Sequence, residues 1–228
     1  MSYDSDEEQI EQLKRLWKDY GQPAVVGVLI TLVAVFGYKA WQKNQHGRAA
    51  AASALYQNLL DTVADAKGPV LNEEQKATVT HVVDNLQKDY GSSRYAALAT
   101  LFLSQQQVKD HTLEKARDSL EWVLAQKPDD NIEVIVRVRL ARVLLSIPES
   151  EPQKALDVLS ALKPDNSSFT GSINAVRGDA YVALGQDDKA REAYKKAMEA
   201  AQAEGQSRPL LQLKLDDLAT LPTLPQGS

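Results

Sequence analysis

A chain of 228 residues, 43% hydrophobic and 25% charged, has the composition of a folded protein of one or two domains rather than of a disordered one. It contains no cysteine, which removes disulfides, zinc ribbons and thiol catalysis, and its net charge of −5 includes no broad basic stripe of the kind that binds nucleic acid. Few aromatic residues, abundant Ala, Leu and Gln, and glycines gathered at breaks between periodic stretches favour helices over strands, so the expected fold class is all-α.

Residues 1–20 form an acidic-rich tail, with six acids and three bases up to Asp19. Ile10, Leu13, Leu16, Trp17 and Tyr20 recur at three-to-four spacing, with Asp4 and Ser5 available as caps and Gly21 as a stop, which predicts a short amphipathic helix. Its bases Lys14, Arg15 and Lys18 sit near the end that meets the next segment, as in a helix lying on the inner membrane surface or against a partner there.

Residues 21–42 read as one transmembrane helix. From Tyr20 to Tyr38 the chain holds 19 uncharged residues, about 28 Å at helical rise and close to the thickness of bilayer hydrocarbon. Val25, Val26, Val28, Leu29, Ile30, Leu32, Val33, Val35 and Phe36 each favour insertion by roughly 0.3–0.6 kcal/mol, which outweighs the glycines and Thr31. Pro23 suits a first helical turn, and Tyr20, Tyr38 and Trp41 suit the two interfaces. A cleaved signal peptide fits less well, because no small-x-small site directly follows the run. The flanking bases tie, with Lys14, Arg15 and Lys18 before the span and Lys39, Lys43 and Arg48 after it, so orientation rests on the layout. A short tail and a large following domain point to the tail inside and the domain outside. Ala24, Gly27, Thr31 and Ala34 recur every three or four residues and form a small-residue face that would allow close contact with another membrane helix.

Residues 43–90 are expected to hold a stalk helix and a divergent first helix pair, with the span either continuing through Gly47 as that stalk or bending there, and with Lys67-Gly68-Pro69 as a firm break. Residues 91–220 then repeat a pattern. In RGDAYVALGQDDKAREAYKKA, Gly178, Ala190 and Ala197 allow two helices to approach, Tyr181 and Tyr194 fill the space between them, and Gly185 makes the turn. Upstream, Leu140, Ala141 and Leu144 precede Ala155, Leu159 and Leu162 across the loop IPESEP, and Leu103 and Ser104 precede Ala116, Leu120 and Val123. The anchors Ala116, Ala155 and Ala190 lie 39 and 35 residues apart. Such units look like tetratricopeptide repeats, and the predicted architecture is an α-solenoid of three repeats. The segment SRPLLQLKLDDLA, with Leu210, Leu211, Leu213, Leu215 and Leu218, is expected to cap the last repeat, leaving 221–228 as a tail.

No catalytic constellation emerges. His46, His81 and His111 are scattered, and neither a phosphate-binding glycine loop nor a serine elbow is present, so neither an enzyme nor a cofactor or metal site is expected. Asp129-Asp130 and Asp187-Asp188 fall at inter-helix breaks, where helix caps explain them, and Trp122 reads as packing. Arg177-Gly178-Asp179 lies in helix-period sequence, not in the exposed loop that an adhesion motif needs. Since the first helix of each stacked unit lines a concave groove, the register assigns a protein-binding face to Leu98, Leu101, Gln105, Ile135, Val138, Arg142, Ala175 and Asp179. The competing reading has these residues packing neighbouring helices, with Arg142 and Asp179 paired across units.

The order of parts, with RYAALA at 94, RVRLARVLL at 137 and RGDAYVALG at 177, resembles the YfgM-type ancillary subunits of the bacterial SecYEG translocon. The resemblance implies an inner-membrane protein with a cytoplasmic amino terminus, one span and a periplasmic repeat domain. It further implies residence beside SecYEG with the membrane-anchored chaperone PpiD, transfer of emerging secretory chains to periplasmic chaperones, and a link to envelope-stress regulation. The residues by themselves support an anchored helical-repeat binding module, and a scaffold of another envelope assembly or division complex is the alternative.

Overall fold

The computed structural model describes residues 3–66, 70–162, 167–205 and 208–220. Among them every regular element is helical: α1 (Tyr3–Ala64), α2 (Glu73–Tyr90), α3 (Arg94–Lys109), α4 (Leu113–Ala125), α5 (Asp130–Ser146), α6 (Pro152–Ser160), α7 (Thr170–Ala183), α8 (Asp187–Ala203) and α9 (Pro209–Thr220), with a 3-10 turn over Ser167–Phe169. The chain divides into two compact units, 1–51 and 52–228.

The first unit is the amino-terminal part of α1. Val25, Val26, Leu29, Ile30, Leu32, Val33, Val35 and Phe36 are all exposed. Val25–Ala64 contains an 18-residue window of mean hydropathy 1.6 with none of it buried, and among the described residues this is the one helix long and apolar enough to cross a membrane. The stop expected at Gly21 does not occur. α1 runs through Gly21 and Pro23, which places Pro23 in the helix interior rather than in a first turn. A proline there removes the backbone donor that would bond to the carbonyl of residue 19. Gly21 is covered within the helix by Trp17, whose ring carbon Cδ2 lies 3.2 Å from where a Cβ would stand. Gly47 is likewise helical. The expected break at Lys67-Gly68-Pro69 and the tail 221–228 lie outside the described residues, as do the side chains of Leu13, Leu16, Tyr20 and Ala24.

The second unit begins with the last turns of α1, which bury Ala52 and Leu59 against Val79, Val82, Val83 and Leu86 of α2 and Ala96 and Ala99 of α3. α2 starts where a capping box dictates: Asn72 Oδ1 accepts from Gln75 N at 2.8 Å, and Gln75 Oε1 accepts from Asn72 N at 3.1 Å. Asp129 caps α5 with a single bond, accepting from Ile132 N at 3.1 Å.

Three helical hairpins follow, α3/α4, α5/α6 and α7/α8. Ala116, Ala155 and Ala190 of the second helices are each fully buried. Two of the hairpin turns are the same object. After α3, His111 adopts φ 57° and Thr112 N donates to Gln107 O at 2.9 Å; after α7, Gly185 adopts φ 67° and Gln186 N donates to Tyr181 O at 2.9 Å. Both are left-handed helix ends closed by a six-to-one bond. The α5/α6 loop is longer, and it closes through Glu151 N donating to Leu144 O at 2.9 Å.

Arginines fasten adjacent elements by donating to carbonyls at helix ends. Arg137 Nη1 donates to Val158 O and Arg177 Nη2 to Leu159 O, each at 3.3 Å, so two first helices cap the carboxyl end of α6. Arg191 Nη2 does the same for α9, donating to Leu218 O at 3.2 Å. One apolar core runs through α3 to α7, and Trp122 packs against both this core and that of the first helix pair. α9 covers the end of the stack with Leu211, Leu215 and Leu218. Leu210 and Leu213, expected on the same face, are instead 73% and 57% exposed, because the helical period that turns 211, 215 and 218 inward turns 210 and 213 outward.

Candidate functional site

The first helices of the hairpins, α3, α5 and α7, pack side by side, so one face of each contributes to a shared surface. Equivalent positions on it repeat every 37 residues: Leu98 and Ile135; Leu101, Val138 and Ala175; Gln105, Arg142 and Asp179.

The structure sorts these residues by depth. Gln105 and Arg142 are exposed, and Leu98, Ile135, Ala175 and Asp179 are half-buried. Leu101 and Val138 are each only 5% exposed and belong to the core, which withdraws them from the lining assigned to them. They stand one turn from the exposed positions, and closely packed neighbouring helices cover that row.

In place of the Arg142–Asp179 pair of the competing reading, Asp179 has other partners. Asp179 Oδ1 accepts from the Tyr194 hydroxyl at 2.6 Å and from Lys214 Nζ, which also stands 5.6 Å from the centre of the Tyr194 ring. Arg142 lies within electrostatic reach of Asp179 and of Arg208. Partial desolvation of this otherwise exposed side chain lowers its pKa from the usual arginine range; Asp179 opposes that shift and Arg208 adds to it. Arg139 is lowered too, by burial and then by Arg142, while its Nη1 donates to Leu101 O at 3.2 Å. The Tyr194 phenol is pushed far above its ordinary value by burial first and by Asp179 second.

Sequence reasoning missed Arg139, Arg208 and Lys214 as parts of this surface, and the buried Tyr194 as a partner of Asp179. Arg139 was within reach, since it stands three residues before Arg142 on the same helix face. The others arrive from α8, from the residue before α9 and from α9, and no local spacing announces that.

In the membrane-type segment, Gly27, Thr31 and Ala34 are exposed, and nothing stands within 4 Å of a Cβ placed on Gly27. The Thr31 hydroxyl donates to Gly27 O at 2.8 Å, which satisfies it inside the helix and leaves a smooth surface.

Residues 14–220 match the tetratricopeptide repeat-like domain family. This chain belongs to that family. The repeat-like domain shares its fold with the MamA protein, whose crystal structure aligns at a TM-score of 0.51 and 16% identity over 77% of this chain and 100% of that one. In sequence the chain is similar to proteins named "Ancillary SecYEG translocon subunit". That of Escherichia coli (strain K12) is 28% identical over 95% of this chain and 98% of the relative. That of Neisseria gonorrhoeae (strain ATCC 700825 / FA 1090) is 26% identical over 93% and 97%, and that of Aggregatibacter actinomycetemcomitans is 29% identical over 96% and 100%. Each similarity therefore takes in the apolar helix together with the repeat-like domain.

Proposed function

We propose that this protein is an ancillary subunit of a bacterial SecYEG translocon: a scaffold held in the inner membrane by α1, whose repeat domain binds polypeptides. The observation that carries the reading is the end-to-end similarity to proteins named for that role, at 28% identity over 95% of this chain in the Escherichia coli (strain K12) case. An exposed apolar helix supports the anchor, and a row of first helices with a mixed apolar and polar face supports the binding of extended or helical segments.

In this reading the amino-terminal tail is cytoplasmic and the repeats are periplasmic. The scaffold stands beside PpiD, receives secretory chains as they emerge and passes them to periplasmic chaperones, with a consequence for envelope-stress regulation. The small face of Gly27, Thr31 and Ala34 is the surface offered to a neighbouring membrane helix.

Crosslinking in intact membranes, followed by gentle solubilisation and identification of partners, tests the reading. Recovery of SecY and PpiD is expected; recovery of a different envelope complex instead would replace it. Protease added to spheroplasts should digest residues 52–228, and survival of that unit while a periplasmic control is cut would reverse the orientation.

A further inference from the structure

Another flank of α3 bounds a cavity of its own. Leu103, Gln106 and Asp110 follow one another at three and four residues along that flank, and Gln106 stands about 100° round the helix from Gln105. Opposite them, Lys76 and Val79 of α2 and Leu71 just before it help to enclose a space of about 220 Å³. Its floor is apolar, with Leu71 and Val79 buried and Leu103 half-buried at the edge of the core of the first helix pair. On its rim Lys76 Nζ donates to Asp110 Oδ1 at 2.9 Å and lies 3.2 Å from Glu73 Oε1. Gln106 lines the same space and is only 8% exposed. Its side-chain amide makes no hydrogen bond to any of the described residues, yet neither of its polar atoms is sealed from water. A glutamine sunk this deep ordinarily has its donor and its acceptor filled; here both are open to the cavity.

We propose that this cavity seats one aliphatic side chain of a partner polypeptide, leucine in size, while the Gln106 amide bonds the main chain beside it. The inference rests on the reading of the repeat domain as a polypeptide-binding scaffold and names where a segment is held and by what. The amide presents both a donor and an acceptor, and so does a peptide group. An anion is the poorer match, because the carboxamide oxygen would repel it and Lys76 already has two carboxylates beside it. The space is small for a cofactor, and its apolar floor suits a single hydrocarbon side chain. A ligand that displaces water from Gln106 must replace the bonds that water made, which a main chain does and hydrocarbon alone does not.

The experiment uses the full chain in lipid nanodiscs. Binding of a capped fluorescent peptide with one leucine among alanines and serines is measured beside two counterparts, one with alanine for the leucine and one N-methylated at the leucine and the residue after it. Each counterpart is expected to bind at least about fivefold more weakly. Gln106→Leu should erase the effect of N-methylation while leucine stays preferred to alanine, a split that a general loss of structure does not produce. Thr80→Trp, at an exposed position bordering the cavity, should weaken the leucine peptide at least about fivefold, and Lys195→Gln on the exposed face of α8 should change nothing. Thermal unfolding is followed for each variant. Equal binding of the three peptides by the unsubstituted protein overturns the proposal, and so does a folded Gln106→Leu protein that still rejects the N-methylated peptide. Should Gln106→Leu fail to fold, undiminished binding of the leucine peptide by Thr80→Trp overturns it instead. Acetyl-leucinamide bound as tightly as the peptide would assign the cavity to a small amide rather than a chain. The two readings fail separately: lost peptide discrimination with SecY still recovered in crosslinks sinks only this inference, and intact discrimination with no translocon recovered sinks only the translocon assignment.

Discussion

The ring of Tyr194 lies directly on Gly178, so that a Cβ added to Gly178 would overlap the ring and reach within 2.8 Å of Cζ. The same register puts Ser104 and Ala141 at the glycine position and Leu120 and Leu159 at the tyrosine position in the preceding hairpins, all of them buried. The largest side chain of one row thus stands in the unit that has the smallest residue in the other.

Gly178→Ala should therefore destabilise the protein by about 1–3 kcal/mol, since overlap outweighs the roughly 1 kcal/mol that alanine contributes in a helix. The measurement is thermal or urea unfolding. In a Tyr194→Leu background, which recreates the pairing of the α5/α6 hairpin, the cost of Gly178→Ala should shrink or change sign, and a double-mutant cycle reports the coupling.

Arg177 joins α7 to the carboxyl end of α6 through Leu159 O at 3.3 Å. Arg177→Ala leaves that carbonyl without this partner and removes a positive charge from the negative end of the helix dipole. A loss of about 1–2 kcal/mol is expected, with Arg177→Lys recovering part of it. Arg137→Ala, which affects Val158 O of the same helix, should couple with it rather than add.

The left-handed turns at His111 and Gly185 give opposed outcomes. Nothing stands within 4 Å of a Cβ placed on Gly185, so Gly185→Ala meets only the backbone penalty of φ 67° and should cost about 1 kcal/mol. His111 already bears that penalty at φ 57°. His111→Gly should raise stability by about 0.5 kcal/mol after the added freedom of the unfolded chain is subtracted. Unfolding curves of the two variants check both signs.

Tyr194 predicts an alkaline limit. Its proton is held above the ordinary phenol value of 10.0 in the folded protein, so between that value and the folded one the native state binds more protons than the unfolded state. The contribution is complete below about pH 10 and declines as pH rises further. Tyr194→Phe lowers stability at neutral pH by about 1–3 kcal/mol through the lost bond to Asp179, but its melting temperature should fall less steeply from about pH 9 to 11. Parallel curves for the two proteins would refute the assignment.

The local rules that made most of the fold legible are those that a single helix obeys by itself. Ala116, Ala155 and Ala190 could be read as the places where helices approach because only small residues recurred there, and all are buried. The uncharged run from Tyr20 to Tyr38 announced an apolar helix because length and composition alone decide whether a segment can span hydrocarbon. The ends of that helix were not legible. Gly21 and Pro23 are breakers by propensity, but continuation across them is set by how many neighbouring bonds survive. The groove divided along the same line. Register placed Gln105, Arg142 and Asp179 on one face, because a repeat fixes which side of each helix is equivalent. Only tertiary packing decided that Leu101 and Val138 sink into the core, and that Asp179 turns to Tyr194 and Lys214 instead of Arg142. Lys214 stands 35 residues from Asp179, and a charge on a long side chain is drawn to whichever opposite charge the fold leaves nearest, a distance that no spacing along the chain contains.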